Sequence, residues 1–162
     1  MSGLKEKKIE LKKIELVEEF KRLCEEKGLH PGRYVEELHA IFQDTAIIDF
    51  FGSNNMIGES LVDFIILGDK ALYDYEVKKD KRSYLCIVRY ESISRIYEMV
   101  EESGGKEYVL AVFESTEGSN IISVDVSRKE EIRKFLIRAF KIIFGGGRNE
   151  KRNEERCHRG KD

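Results

Sequence analysis

Two hydrophobic periods divide the chain. Between Leu4 and Lys27 the residues Ile9, Leu16, Val17, Phe20, Leu23 and Cys24 fall within one arc at about 100° per residue, and Gly28 follows as a stop. This pattern predicts a long amphipathic helix. Leu4, Leu11 and Ile14 lie on its opposite side and form a second, smaller apolar face, which a partner subunit or a neighbouring loop would cover. His30, Pro31 and Gly32 break the pattern, with Pro suited to a helix's first turn because its missing donor is harmless there. Arg33 to Gln43 then carries Tyr34, Val35, Leu38, Ile41 and Phe42 at helical spacing, so a short second helix should fold back antiparallel to the first.

From Thr45 the period drops to two. Seven runs rich in Ile, Val, Tyr and Phe follow: Thr45 to Phe51, Leu61 to Leu67, Ala71 to Val77, Tyr84 to Tyr90, Ser94 to Glu101, Glu107 to Glu114 and Asn120 to Val126. Clusters such as Gly68-Asp69, Lys79-Asp80-Lys81, Ser103-Gly104-Gly105 and Glu117-Gly118-Ser119 give connections of hairpin length, which force antiparallel pairing. In the third run Ala71, Tyr73, Tyr75 and Val77 share one face and Asp74 and Glu76 the other. The second run is apolar on both faces except at Asp63, so a helix should cover its outer side, and the first two helices are the candidates.

Ser127 with Glu130 three residues on reads as a capping box that opens a last helix. Its inner stripe is Ile132, Phe135, Leu136, Ala139, Phe140 and Ile143, with Lys134, Arg138 and Lys141 on the far side and Gly145-Gly146-Gly147 as the end. Residues 145–162 offer no aliphatic or aromatic side chain to bury and are expected to form a disordered charged tail. The expected division is a helical hairpin over 1–44, a strand-rich domain over 45–144 and that tail.

Composition changes this picture little. Charged residues make up 37%, with 23 Glu and 17 Lys beside the single Gln43, a balance typical of thermophile proteins. No apolar run is long enough to cross a bilayer, and the opening Lys5-Glu6-Lys7-Lys8 lacks a signal peptide's core. Cys24, Cys86 and Cys157 form neither a disulfide framework nor a metal spacing, so a reducing cytoplasm is the expected setting. Charge distribution matters more. Residues 1–126 carry 17 basic and 25 acidic side chains, whereas residues 127–162 carry 12 basic and 6 acidic, an asymmetry that either meets an anionic partner or marks a solvated helix face.

Catalytic signatures are missing from the sequence. It contains neither Gly-x-Ser-x-Gly nor a phosphate loop, and its glycine triplet follows a helix instead of opening one. Three scattered histidines fall short of the four convergent ligands zinc requires, so no metal and no cofactor are expected. The pairs Glu18-Glu19, Glu25-Glu26, Glu36-Glu37 and Glu101-Glu102 read as solvated charge. Asp63 is the one carboxylate in an apolar strand, and outward or edge placement is its commoner fate, against a buried functional acid. A basic helix face with Ile137 and Phe144 beside it has the look of an interfacial helix. No ribonucleoprotein motif is readable, and the acidic balance disfavours nucleic acid as a partner.

Local sequence adds a resemblance. LVDFIILGDKALYDYE, Leu61 to Glu76, resembles the strand-turn-strand of bacterial pleckstrin-homology-like (PH-like) and GRAM-type domains. IVRYESISRI, Ile87 to Ile96, is similar to their short link before the fifth strand, and Gly58-Glu59 to the step before the second. The resemblance covers roughly residues 45–144. It implies a seven-stranded antiparallel PH-like barrel capped by a C-terminal helix, and with the N-terminal helical hairpin, which lies outside it, the expected fold is α+β. Fold alone does not carry function. Phosphoinositide-binding members place Lys and Arg in the loop joining the first two strands, whereas here GSNNMIGES holds none. Basic residues lie instead at Lys78, Lys79, Lys81 and Arg82, which could hold an anion or simply form a solvated turn.

The expectation is therefore a non-enzymatic binding or scaffolding module that engages a protein or peptide. Lys78, Lys79, Lys81, Arg82, Lys134, Arg138 and Lys141 are its candidate anion or partner contacts. Leu4, Leu11 and Ile14 are the candidate self-association face of a homo-oligomer. The alternative is association with an anionic membrane surface through the basic loop and helix.

Overall fold

The computed structural model describes residues 2–145. Of the expected tail only Gly145 falls within them; 146–162 lie outside the described residues. Helices α1 (Ser2–Glu26) and α2 (Gly32–Ile41) precede strands β1 (Ile47–Ser53), β2 (Ser60–Gly68), β3 (Ala71–Lys78) and β4 (Ser83–Arg89). Strands β5 (Ile93–Ser103), β6 (Lys106–Ser115) and β7 (Gly118–Asp125) and helix α3 (Lys129–Phe144) follow. No described helix is long and apolar enough to cross a membrane.

Every strand pairing is antiparallel, as the hairpin connections require, but the strands do not close into a barrel. They form a four-stranded sheet, β1-β2-β3-β4, and a three-stranded sheet, β5-β6-β7. A 3-10 turn at Tyr90–Ser92 carries the chain from one sheet to the other. At the opposite corner β1 and β7 approach each other, and the Ser53 hydroxyl donates to the Ser123 carbonyl at 2.7 Å. Side-chain packing thus joins the sheets where the expected barrel would have needed a continuous ladder.

The four-stranded sheet is covered on both faces, which explains the two-sided apolar character of β2. Toward the helices, Val62, Phe64, Ile66, Tyr75 and Val77 join Leu16, Phe20, Leu23, Tyr34 and Leu38 in one core. Phe20 is its hub, with ring centroids 5.5 Å from Phe64, 5.8 Å from Tyr75 and 6.4 Å from Tyr34. Burial of such side chains stabilises by about 1.5–3 kcal/mol each. Gly52 of β1 is required here, because a Cβ would run into the Phe64 ring. Toward the second sheet, Phe51, Ile65, Leu67 and Leu72 meet Val109, Ala111, Phe113, Ile122 and Val124, and α3 adds Ile132, Phe135, Ala139 and Ile143.

Helix ends follow local chemistry. Gly28, at φ 72°, lets the Leu29 N–H reach the Cys24 carbonyl at 2.9 Å and its own N–H reach Glu25 at 3.0 Å, a Schellman closure that returns the chain to the core through Leu29. The expected Ser127 cap is not formed. Asp125 instead accepts from the Ser127 N–H at 2.9 Å and holds a 3-10 turn, Val126–Arg128, from which α3 starts one residue later than the capping box implied.

Candidate functional site

Helix α3 carries more apolar surface than the sheets can cover. Ile132, Phe135, Leu136, Ala139 and Ile143 are buried, yet Phe140 is 56% and Ile137 53% exposed. Phe140 was expected in the inner stripe. At 100° per residue it stands about 80° from Ile132, at the margin of that stripe and beside Ile137 and Phe144. The Phe140 and Phe144 rings lie 5.1 Å apart.

This second stripe faces β5, an edge strand bonded only to β6. Ile96, Tyr97 and Glu98 on the strand and Leu136, Ile137 and Phe140 on the helix line a trough of about 410 Å³. Ion pairs fix both of its elements. Arg133 donates from Nε at 3.2 Å and from Nη2 to Glu98, and this bonding holds the Glu98 carboxyl below the usual range despite partial burial. Arg95 donates to Glu114 at 3.0 and 2.9 Å, and the Tyr97 hydroxyl joins the same carboxylate at 2.9 Å. Lys129 also acts on Glu98, so α3 starts near the distal half of β5 and Lys141 stands at the trough's other end.

The predicted basic residues do not form one surface. Arg138 donates to Asp49 at 2.6 Å, and Lys12 approaches the same carboxylate at 3.9 Å, so Arg138 clamps α3 to β1 and α1. Lys141 borders the trough and Lys134 is exposed. At the β3–β4 hairpin, Lys78 turns inward to Glu76 and Ser60 Oγ, each at 3.3 Å, with its ammonium 5.4 Å from the Tyr84 ring centroid. Arg82 pairs with Asp80 at 2.7 Å. Lys81 has φ 71° and offers its carbonyl to the Tyr34 hydroxyl at 2.6 Å and to Arg33 at 2.5 Å. The tip is thus a latch for α2. Lys79 and Lys81 keep exposed ammonium groups with no carboxylate partner among the described residues.

Leu4, Leu11 and Ile14 are 68%, 57% and 54% exposed, so no part of the described chain covers the second face of α1. Three side chains fall well short of the ~800 Å² per partner of a stable interface.

Asp63 departs most from expectation. It is 1% exposed and lies between the sheets beside Asp74, which is 3% exposed. Burial, then the neighbouring Asp74 charge, raises the Asp63 carboxyl well above its ordinary range; burial raises Asp74 as well. Strand register is the cause. Asp63 pairs with Glu76 and Asp74 with Ile65, so the face that alternation assigned to Asp74 and Glu76 points at the second sheet, not at water. The trough was partly legible, because the apolar arc of α3 is too wide for one contact; the acidic cluster was not, because which face of β3 meets solvent depends on the helices across it. Comparisons with protein-family models, with curated proteins and with solved structures return no match.

Proposed function

We propose that the protein is a non-enzymatic binding module of PH-like architecture that takes an extended peptide along the free edge of β5, beside α3. The observation that carries this reading is the coincidence of an eleven-residue edge strand, ladder-bonded on one side only, with an apolar trough on its flank. An edge strand presents unbonded N–H and C=O groups, and an added strand sends alternate side chains to one side, where Ile137 and Phe140 receive them. Lys141 at one end of the trough and Glu101-Glu102 toward the other fit a peptide with an acidic residue at the first end and a basic one at the second. Seven antiparallel strands in a four-plus-three arrangement followed by one helix support the PH-like reading. Buried Cys24, whose thiol burial pushes up to about 12, and unpaired Cys86 suit a reducing compartment such as the cytoplasm. The membrane alternative must rely on Lys79, Lys81, Lys134 and Lys141, since carboxylates occupy Lys78, Arg82 and Arg138.

Selection from a random peptide library, followed by titration of the isolated peptide into labelled protein, tests the reading. Chemical-shift changes should concentrate on 93–103 and on Ile137 to Lys141. Phe140→Ala should weaken binding by about tenfold or more with an unchanged melting temperature. Shifts confined to another surface, or affinity untouched by Phe140→Ala and Ile137→Glu, would remove the proposal.

A further inference from the structure

The buried acids between the sheets have too few partners for their charge. Asp63, Asp74 and Glu76 each bring a carboxylate oxygen to within 4.8 Å of the others. Glu76 is satisfied: it accepts from Ser60 Oγ at 2.9 Å and from Lys78 at 3.3 Å. Asp74 Oδ2 accepts from the Asn120 amide at 3.0 Å. Asp63 Oδ1 and Asp74 Oδ1, on side chains almost fully removed from water, have no hydrogen-bond partner. With Lys78 the only cation among them, the cluster carries a net charge of −2 when ionised. A buried, unpaired carboxylate oxygen costs more than an unmade neutral bond.

The geometry points to a binding site for a hard divalent cation, calcium or magnesium, held by Asp63, Asp74 and Glu76 between the two sheets. A spread of 4.8 Å or less is what oxygens around such an ion span, since calcium bonds of 2.3–2.6 Å place opposed ligands just under or about 5 Å apart. The donor set is all oxygen, which suits hard cations and lacks the His and Cys ligands that softer metals favour. Two charges on the ion offset the two left over on the cluster. A cleft of about 580 Å³ between β4 and the β6–β7 hairpin is lined by Asn120, which bonds Asp74, and by Cys86 and Tyr84, which pair with Asp74 and Glu76. It ends one residue from the cluster, on the side from which an ion and its water ligands would enter. The site joins β2 to β3 and, through Asn120, to β7 of the other sheet, so an ion there would tie the two sheets together.

Calorimetric titration of the full chain, stripped with a chelator and held at constant ionic strength near pH 7, tests the site, with calcium, magnesium and manganese chlorides as separate arms. One saturable equivalent should bind, with a matching rise in melting temperature. Asp63→Asn, which keeps the shape and lets an amide donate to Asp74, should weaken binding at least about tenfold. Glu76→Gln, at the partly exposed rim, gives a second reading should Asp63→Asn fail to fold. No saturable heat from any of the three ions up to about 10 mM, beyond the weakest physiological calcium sites, would overturn the proposal. Binding that survives both substitutions would overturn it too. A metal-insensitive wild type alongside a more stable Asp63→Asn would mean that the two aspartates merely share a proton.

Discussion

Asp63 and Asp74 show how a single residue's environment can reverse its expected role. Alternation along β3 correctly placed Asp74 and Glu76 on one face, and two carboxylates on a face ordinarily turn it to water. The helices take the opposite face instead, through Tyr75 and Val77, so the acids turn inward. Burial raises the Asp63 carboxyl, and the folded chain therefore keeps its proton at pH values where the unfolded chain, with an aspartate near ~4, has lost it. Stability contributed by the protonated form is present below about pH 4 and declines as pH rises toward the raised folded value. In chelator, Asp63→Asn lacks this loss. Its stability relative to wild type should grow from pH 4 to pH 7 in urea titrations, and a constant difference across that range would contradict the buried placement.

At the scale of elements, strand existence and order were legible, because hairpin turns and period-two runs are local signals. Observed strands differ from those expected by one or two residues at most ends, as for β2 at Ser60–Gly68 against Leu61 to Leu67. Closure was not legible, since whether β1 pairs with β7 depends on the angle between sheets and not on either strand's pattern. The role of Arg138 was equally hidden: 89 residues separate it from Asp49, and a helix cation looks solvated until its partner's position is known. Asp49 is 5% exposed and otherwise has the Phe50 N–H at 2.9 Å and a distant Lys12. Arg138→Met would leave that carboxylate short of its charged donor at an expected cost of about 1–3 kcal/mol. Arg138→Lys should restore part of it, and chemical denaturation of the three proteins side by side checks the order.

Over the whole molecule, the charge asymmetry between the first 126 residues and the rest does not map onto separate bodies. Within the described residues, acidic β1 and basic α3 are joined by Asp49 and Arg138, and β5 and α3 by Glu98 and Arg133. The helical hairpin likewise is not an appendage, although the change of period at Thr45 reads as a boundary. Val62, Phe64, Ile66 and Val77 are 0% exposed and Tyr75 1%, and α1 and α2 supply the apolar side chains packed against them. A chain starting at Thr45 would show water a continuous apolar sheet face, well beyond the few hundred Å² that soluble proteins leave open. It would also lose the Tyr34 and Arg33 bonds that hold the β3–β4 tip. The full chain is therefore expected to unfold in one cooperative transition seen alike by far-UV circular dichroism and tyrosine fluorescence. The shortened chain should aggregate or lack a transition. A soluble shortened chain that melts cooperatively would show that the strands carry their own core, and the helices would then be a separable cover.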